Sequence, residues 1–280
     1  DTDNYDFLSN VEKVMDKISG HHFTSQRNFL NAIIILLMAL NSDGKYDKLL
    51  EKYGKLRDDF NDKYNKLNES GKVQPSQAEN FATIEEVYEG INKMGEELKP
   101  IKKKKELSKK EMQLLQAYIL FNMYARYPVR LDYAGMYPIK KRPYTQMTDE
   151  ESKSKNWLLI EKNKLSFILN NYKSNKTYGQ KIIEIEDKDL KKLLRYYLRI
   201  NGMGVLFKTS TGKPITRIEL SKILLKYSKI YIGKQISATL LRKAYMSSKY
   251  SEMKDELLKD NYILGHSKEV ALNTYVKKAD

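Results

Sequence analysis

Cysteine is absent from all 280 residues. That excludes disulfides, thiol catalysis and Cys-ligated zinc, and it fits a reducing, intracellular setting. Histidine is nearly absent: there are three, two of them adjacent at His21 and His22. Long apolar runs are missing as well. The most apolar stretch, FLNAIIILLMAL at 29–40, contains Asn31 and is shorter than the ~20 residues a membrane span needs. It is expected to be a buried core helix, with no membrane as partner. No signal-peptide pattern opens the chain, and because the first residue is Asp1 rather than Met, a trimmed terminus is expected.

What is abundant is positive charge. The 51 Lys and Arg outnumber the 36 Asp and Glu, for a net +15. A surplus of that size implies a polyanionic partner, nucleic acid first and an anionic membrane surface second. The 41% hydrophobic content supports a real core in one large or two moderate domains.

The first hundred residues read as all-helical. DFLSNVEKVMDKI is a short amphipathic helix, and TSQRNFLNAIIILLMAL follows with Thr24 or Ser25 placed to cap it. Leu49, Tyr53, Leu56, Phe60, Tyr64 and Leu67 recur at steps of three or four, one apolar stripe on a long helix. Gly71 and Pro75 break it. A fourth helix starts at the capping box Thr83–Glu86 and runs to about Leu98. Then KPIKKKKELSKKE, with Pro100 and six Lys between 102 and 110, reads as a linker. It is either a solvated charged face or a strap across a phosphate backbone; Lys102, Lys103, Lys104 and Lys105 are its candidate contacts.

The remainder mixes helix and strand. KKEMQLLQAYILFNMYARY is helical, NWLLIE, LSFILNN and KIIEI read as three short strands, and the rest is mainly helical. The expected domains are a helical segment over 1–100, a basic linker over 101–110 and a mixed segment over 111–280. The fold class is mainly α with a small β-sheet. In the helical segment, Thr24, Ser25, Gln26, Arg27 and Asn28 open the apolar helix, where a helix N-terminus suits a phosphate or a base edge.

The lone third histidine lies in NYILGHSKEVALNTYVKK. Gly265 is a natural left-handed helix stop after Tyr262, Ile263 and Leu264, His266 follows it, and Tyr275 comes nine residues later. Upstream, Arg242 sits in the apolar TLLRKAY, and Arg130 in YARYPVRLDYAGM, two residues before Asp132. Between them the hairpin FILNNYKSNKTYGQKIIEI carries Lys173 and Lys176. Singly, each has a structural explanation: a buried ion pair of Arg130 with Asp132, a snorkelling Arg242, a solvated Lys turn. Together they suit phosphoryl transfer. Two Arg can clamp the non-bridging oxygens, His266 can add a hydrogen bond, a hairpin Lys can protonate the departing oxygen, and Tyr275 can attack. Guanidinium charge does the electrostatic work, so no metal or cofactor is expected.

In these residues the chain resembles the tyrosine recombinases, the phage-integrase family. LLRKAY is similar to that family's H-x-L-R-H-x-F box, LGHSKEVALNTYVK to its L-G-H-S…Y box with the nine-residue step, PVRLDY to its first Arg box, and NYKSNKTYGQKI to its hairpin with the catalytic Lys. The resemblance covers roughly 107–280 and implies a mixed α+β catalytic domain preceded by a helical core-binding domain that clamps DNA. It implies Arg130 and Arg242 as transition-state stabilisers, Lys173 rather than Lys176 as general acid, His266 as a further charge stabiliser and Tyr275 as the nucleophile that forms a 3′-phosphotyrosyl link. It further implies a double-stranded DNA partner, self-association on DNA from dimer to tetramer, and an origin in a mobile element or virus.

Two positions depart from the family pattern. Thr239 stands three residues before Arg242, where His or Lys is usual, which leaves the activation of Tyr275 to water or Lys243. Tyr133 stands three residues after Arg130, where Glu is frequent, so Asp132 is expected to orient Arg130. Alternatives are a type IB topoisomerase, against which Arg242 and His266 are only 24 residues apart, and a DNA-binding relative with a decayed site.

Overall fold

The computed structural model describes residues 5–69, 73, 75–101, 104 and 106–264. The chain divides into two units, Asp1–Ala78 and Glu79–Asp280.

The first unit is helical. A 3-10 turn (Asp6–Ser9) is followed by α1 (Val11–Ser19), where Asn10 caps the helix by accepting from the Lys13 N–H. The expected single helix is therefore broken at Asn10, whose side chain competes for backbone donors. Next come α2 (Phe23–Leu40), α3 (Asp47–Glu69) and the single turn α4 (Pro75–Ala78). His22, not Thr24 or Ser25, caps α2: its ring nitrogen accepts from the Thr24 N–H. On α3, Leu49, Leu56 and Phe60 of the stripe pack inward beside Tyr53, which is fully buried against Leu8, Leu30, Ile34 and Leu37 and donates its hydroxyl to the Leu8 carbonyl at 2.8 Å.

Residues 29–40 are not the wholly buried helix their composition suggests. Within this unit α2 has neighbours on one side only. Leu30, Ile34 and Leu37 are buried, while Phe29, Ile35 and Met38 are 42%, 68% and 64% exposed. By length and composition alone α2 would pass as a membrane-crossing helix.

The second unit begins well before the Lys-rich stretch. α5 (Ile84–Leu98) opens with the expected capping box, Thr83 and Glu86 each bonding the other's backbone N–H. Its buried face of Val87, Ile91, Met94 and Leu98 joins the same core as α6 (Lys109–Arg126). The boundary therefore falls at 78/79 rather than at 100. Four apolar side chains at helical spacing must be buried, and α6 provides the surface.

After α6 come β1 (Tyr137–Lys140), the short helices α7 (Lys141–Thr145) and α8 (Asp149–Lys153), β2 (Trp157–Ile160), β3 (Leu165–Leu169), the one-turn α9 (Asn175–Tyr178) and β4 (Lys181–Glu184). Then α10 (Lys188–Asn201), α11 (Arg217–Ile232) and α12 (Ala238–Leu264) close the unit. The sheet order is β1-β2-β3-β4, with β1 parallel to β2 and the other pairs antiparallel. β2, β3 and β4 are the three expected strands. β1 is an addition: its YPIK carries Pro138, which a strand tolerates at a sheet edge. α12 is continuous, so Tyr262–Leu264 end one long helix and not a short separate one. The architecture is mainly α with a small mixed sheet, as expected.

Candidate functional site

The segment after α6 is held from below by two buried tyrosines. The Tyr124 hydroxyl donates to the Arg130 carbonyl and the Tyr133 hydroxyl to the Tyr127 carbonyl, both at 2.6 Å, and the two rings meet edge-on at 5.2 Å. Burial pushes both phenols far above their usual range, so they stay protonated donors and cannot serve as nucleophiles. With its carbonyls bonded below, this turn presents the Arg130 side chain to solvent.

A second segment comes from the end of β3. Asn156 is 5% exposed. Its amide nitrogen donates to the Asp132 carbonyl at 2.9 Å and the Asn171 carbonyl at 3.2 Å, and its oxygen accepts from the Asn170 and Asn171 N–H groups at 2.8 Å. Asn170 in turn donates to the Ser152 and Lys155 carbonyls and accepts from Gln180. These amides satisfy the backbone where the strand ends and fix the turn from which Lys173 projects. Lys176 lies further along, on α9.

The third contribution is from α11 and α12. The Ser237 hydroxyl accepts the Leu240 N–H at the start of α12. Leu240, Leu241 and Ala244 face the core, which leaves Thr239 and Arg242, three residues apart and so on one helix face, turned toward the other two segments. Arg217, the first residue of α11, is set by the capping box of Thr216 and Glu219.

These elements enclose a cavity of about 410 Å³ lined by Arg130, Leu131, Asp132, Lys173, Arg217, Ser221, Ser237, Ala238, Thr239 and Arg242. Four cations and one carboxylate line it, with hydroxyls between them. Asp132 is 5% exposed, and Arg217 Nη2 donates to its Oδ1 at 3.0 Å. Burial pushes the Asp132 carboxyl up, and the charges of Arg217, Arg130 and Arg242 oppose it in part. The expected partner of Asp132 was Arg130; the ion pair is with Arg217. The cavity can hold a singly charged or more highly charged anion and stabilise growing negative charge on it. Lys173 is at its wall, where it can donate a proton; Lys176 is not among the lining residues.

Of the residues singled out in the sequence, Arg130, Lys173, Thr239 and Arg242 are brought together here. His266 and Tyr275 lie outside the described residues, as do Lys102, Lys103 and Lys105. Lys104 bonds Glu111 at 2.6 Å. In the first unit, Thr24 bonds His22, Gln26 spends its amide on the Ser19 and His21 carbonyls, and Arg27 stacks at 4.3 Å on Tyr64. Ser25 is half-buried and Asn28 is exposed. Arg217 was missed. The visible signal was its place just after the capping Thr216, and nothing local linked it to Asp132.

No protein-family model and no curated protein matches the sequence. Among solved structures, the chain is similar to the XerH site-specific recombinase bound to difH substrate, a pre-cleavage complex. The TM-score there is 0.36 at 13% identity, over 69% of this chain and 49% of that one, about half its length. It is also similar to XerA recombinase, with a TM-score of 0.40 at 15% identity over 98% of this chain and 94% of that one.

Proposed function

We propose that this protein is a site-specific DNA recombinase that cleaves and rejoins DNA through a 3′-phosphotyrosyl bond to Tyr275. The observation that carries the reading is the convergence of Arg130, Lys173 and Arg242 on one cationic cavity. They come from three separate elements, and all three are the residues that the sequence boxes mark for phosphoryl transfer. The box LGHSKEVALNTYVK, with its nine-residue step from His266 to Tyr275, and the net charge of +15 support it further.

In this mechanism Arg130 and Arg242 bind the non-bridging oxygens of the scissile phosphate and stabilise the charge that builds there. The Tyr275 oxygen attacks phosphorus, the bond to the 5′ oxygen breaks, and Lys173 delivers the proton that the leaving 5′ oxygen needs. The phenol proton leaves to water or Lys243, since Thr239 is a poor acceptor at neutral pH. His266 donates a further hydrogen bond to the phosphate. A free 5′ hydroxyl reverses the step and restores the diester. Exchange of strands needs two duplexes and more than one protomer, with Lys102–Lys105 and, at the start of α2, Arg27 and Asn28 as backbone contacts.

The test is a covalent adduct on nicked duplexes of candidate sequence. Wild-type protein should yield a 3′-linked adduct and strand-exchanged products from two labelled duplexes, and Tyr275→Phe should bind DNA without forming it. Relaxation of a supercoiled plasmid lacking the site, with no exchange between paired duplexes, would instead identify a topoisomerase.

A further inference from the structure

Lys173 projects from a turn, and among the described residues its side chain has no hydrogen-bond or ion-pair partner. Among these residues, a flexible four-carbon stem is aimed by the backbone that carries it. What fixes that backbone relative to Arg130 therefore sets where the ammonium can reach. Two side chains span the gap. Asn156 does so inside the core, bonding both the Asp132 and the Asn171 carbonyls. Arg217 does so at the surface: the same Nη2 donates to Asp132 Oδ1 at 3.0 Å and to the Asn171 carbonyl at 3.2 Å. Asp132 is two residues after Arg130, and Asn171 is two residues before Lys173.

We infer that Arg217 is a positioning residue, fastening the Lys173 turn to the segment that bears Arg130. The inference rests on the proposed recombinase reading, in which Lys173 is the general acid. The alternative, a third guanidinium on the phosphate, would require Arg217 to leave its acceptors, one of them the carboxylate of Asp132, whose side chain is only 7% exposed. Removing a cation from so buried a carboxylate is costly, whereas among the described residues Arg130 and Arg242 form no ion pair that they would have to give up. Both bonds leave the one Nη2, whose two N–H groups are held in the guanidinium plane and so aim at the two segments in a fixed direction, which a freely rotating lysine ammonium does less well.

The experiment separates proton delivery from phosphate binding. Cleavage is timed on the duplex that gives the wild-type adduct, once with the normal 5′ oxygen and once with a bridging 5′ sulfur, which departs without a proton. Lys173→Ala and Arg130→Ala are the two references. Arg217→Ala should slow the oxygen substrate by about 10²-fold, the scale of a roughly 1 Å misplacement, and should recover on the sulfur substrate, as Lys173→Ala does. Equal loss on both substrates, as for Arg130→Ala, would make Arg217 a phosphate ligand and overturn the inference; so would an unchanged rate on both. Should Arg217→Ala melt early, Arg217→Lys carries the same test, with a smaller loss and the same recovery. If wild-type protein gives no adduct on either substrate, the recombinase reading itself fails and the inference falls with it.

Discussion

Asp132 and Arg217, 85 residues apart in the chain, meet at 3.0 Å in the wall of a cationic cavity, and the carboxylate is the buried partner. Burial raises the Asp132 carboxyl, with the three nearby guanidinium groups of Arg217, Arg130 and Arg242 opposing it. A raised carboxyl holds its proton more tightly folded than unfolded. Its contribution is therefore fully present below the unfolded value and is lost as pH rises through the folded one. Asp132→Asn cannot ionise. Its unfolding free energy in urea should gain on the wild type's as pH rises through the carboxylate range. Glu86 has the opposite sign: the hydrogen bond from Lys234, with that from the Thr83 N–H, holds it low. Glu86→Gln should cost up to about 1 kcal/mol at neutral pH, as for other partly exposed pairs, and the deficit should close as pH falls through the lowered value. Parallel pH profiles for wild type and either variant would refute the assignment.

Gly90 on α5 faces Ile232 at the end of α11. A Cβ built on Gly90 would stand 2.5 Å from Ile232 Cγ1 and 3.1 Å from its Cδ1. In an open helix Gly→Ala would gain ~1 kcal/mol; here overpacking of ~1–3 kcal/mol opposes it. Gly90→Ala should be neutral to destabilising by about 2 kcal/mol in denaturant melts, and Gly90→Val worse. Adding Ile232→Ala should recover part of the Gly90→Ala loss through coupling between the two sites. An additive double mutant would show that the helices do not touch here.

Asn156 bonds four backbone groups while nearly excluded from solvent. Asn156→Ala leaves buried amide groups unpaired, at about 1–3 kcal/mol for each one stranded. It should lower the thermal midpoint more than Arg217→Ala, whose side chain is 56% exposed. The reverse order in a melting series would contradict the hydrogen-bond assignment.

Lys173 lines the cavity and Lys176 does not. Lys173→Ala should slow cleavage of normal DNA and recover with a 5′ bridging sulfur, while Lys176→Ala should stay within about the threefold range of an ordinary surface change. A defect confined to Lys176→Ala would reverse the roles.

DNA affinity should fall steeply with salt, because each phosphate contact releases counterions. Replacing Lys102–Lys105 with Ala should flatten the slope. In the first unit, Arg27 is stacked on Tyr64 while Asn28 is exposed. Asn28→Ala should therefore weaken binding with little change in melting temperature, and Arg27→Ala should lower both. Binding that barely varies between low and moderate salt would remove the phosphate-contact role.

Local chemistry made several elements readable from the sequence. Thr83 and Glu86 cap each other across three residues, so the start of α5 needed no distant partner, and the short apolar runs in NWLLIE and LSFILNN, bounded by polar residues, marked β2 and β3. Arg130, Lys173 and Arg242 were legible as well, because each sits in a short box with its own residue pattern. Distance along the chain hid the rest. That α5 belongs with α6 rather than with α3 depends on which surface accepts Val87, Ile91, Met94 and Leu98. That His22 caps α2 depends on one ring rotamer. β1 needs β2 beside it before YPIK is a strand at all. Arg217 illustrates the limit most clearly. Its capping box can be read from four consecutive residues, but its chemical place depends on a carboxylate 85 positions away and a carbonyl 46 away. A side chain's own helix sets its direction, but folding alone brings in the groups it meets, because burial and charge pairing act through space rather than along the backbone.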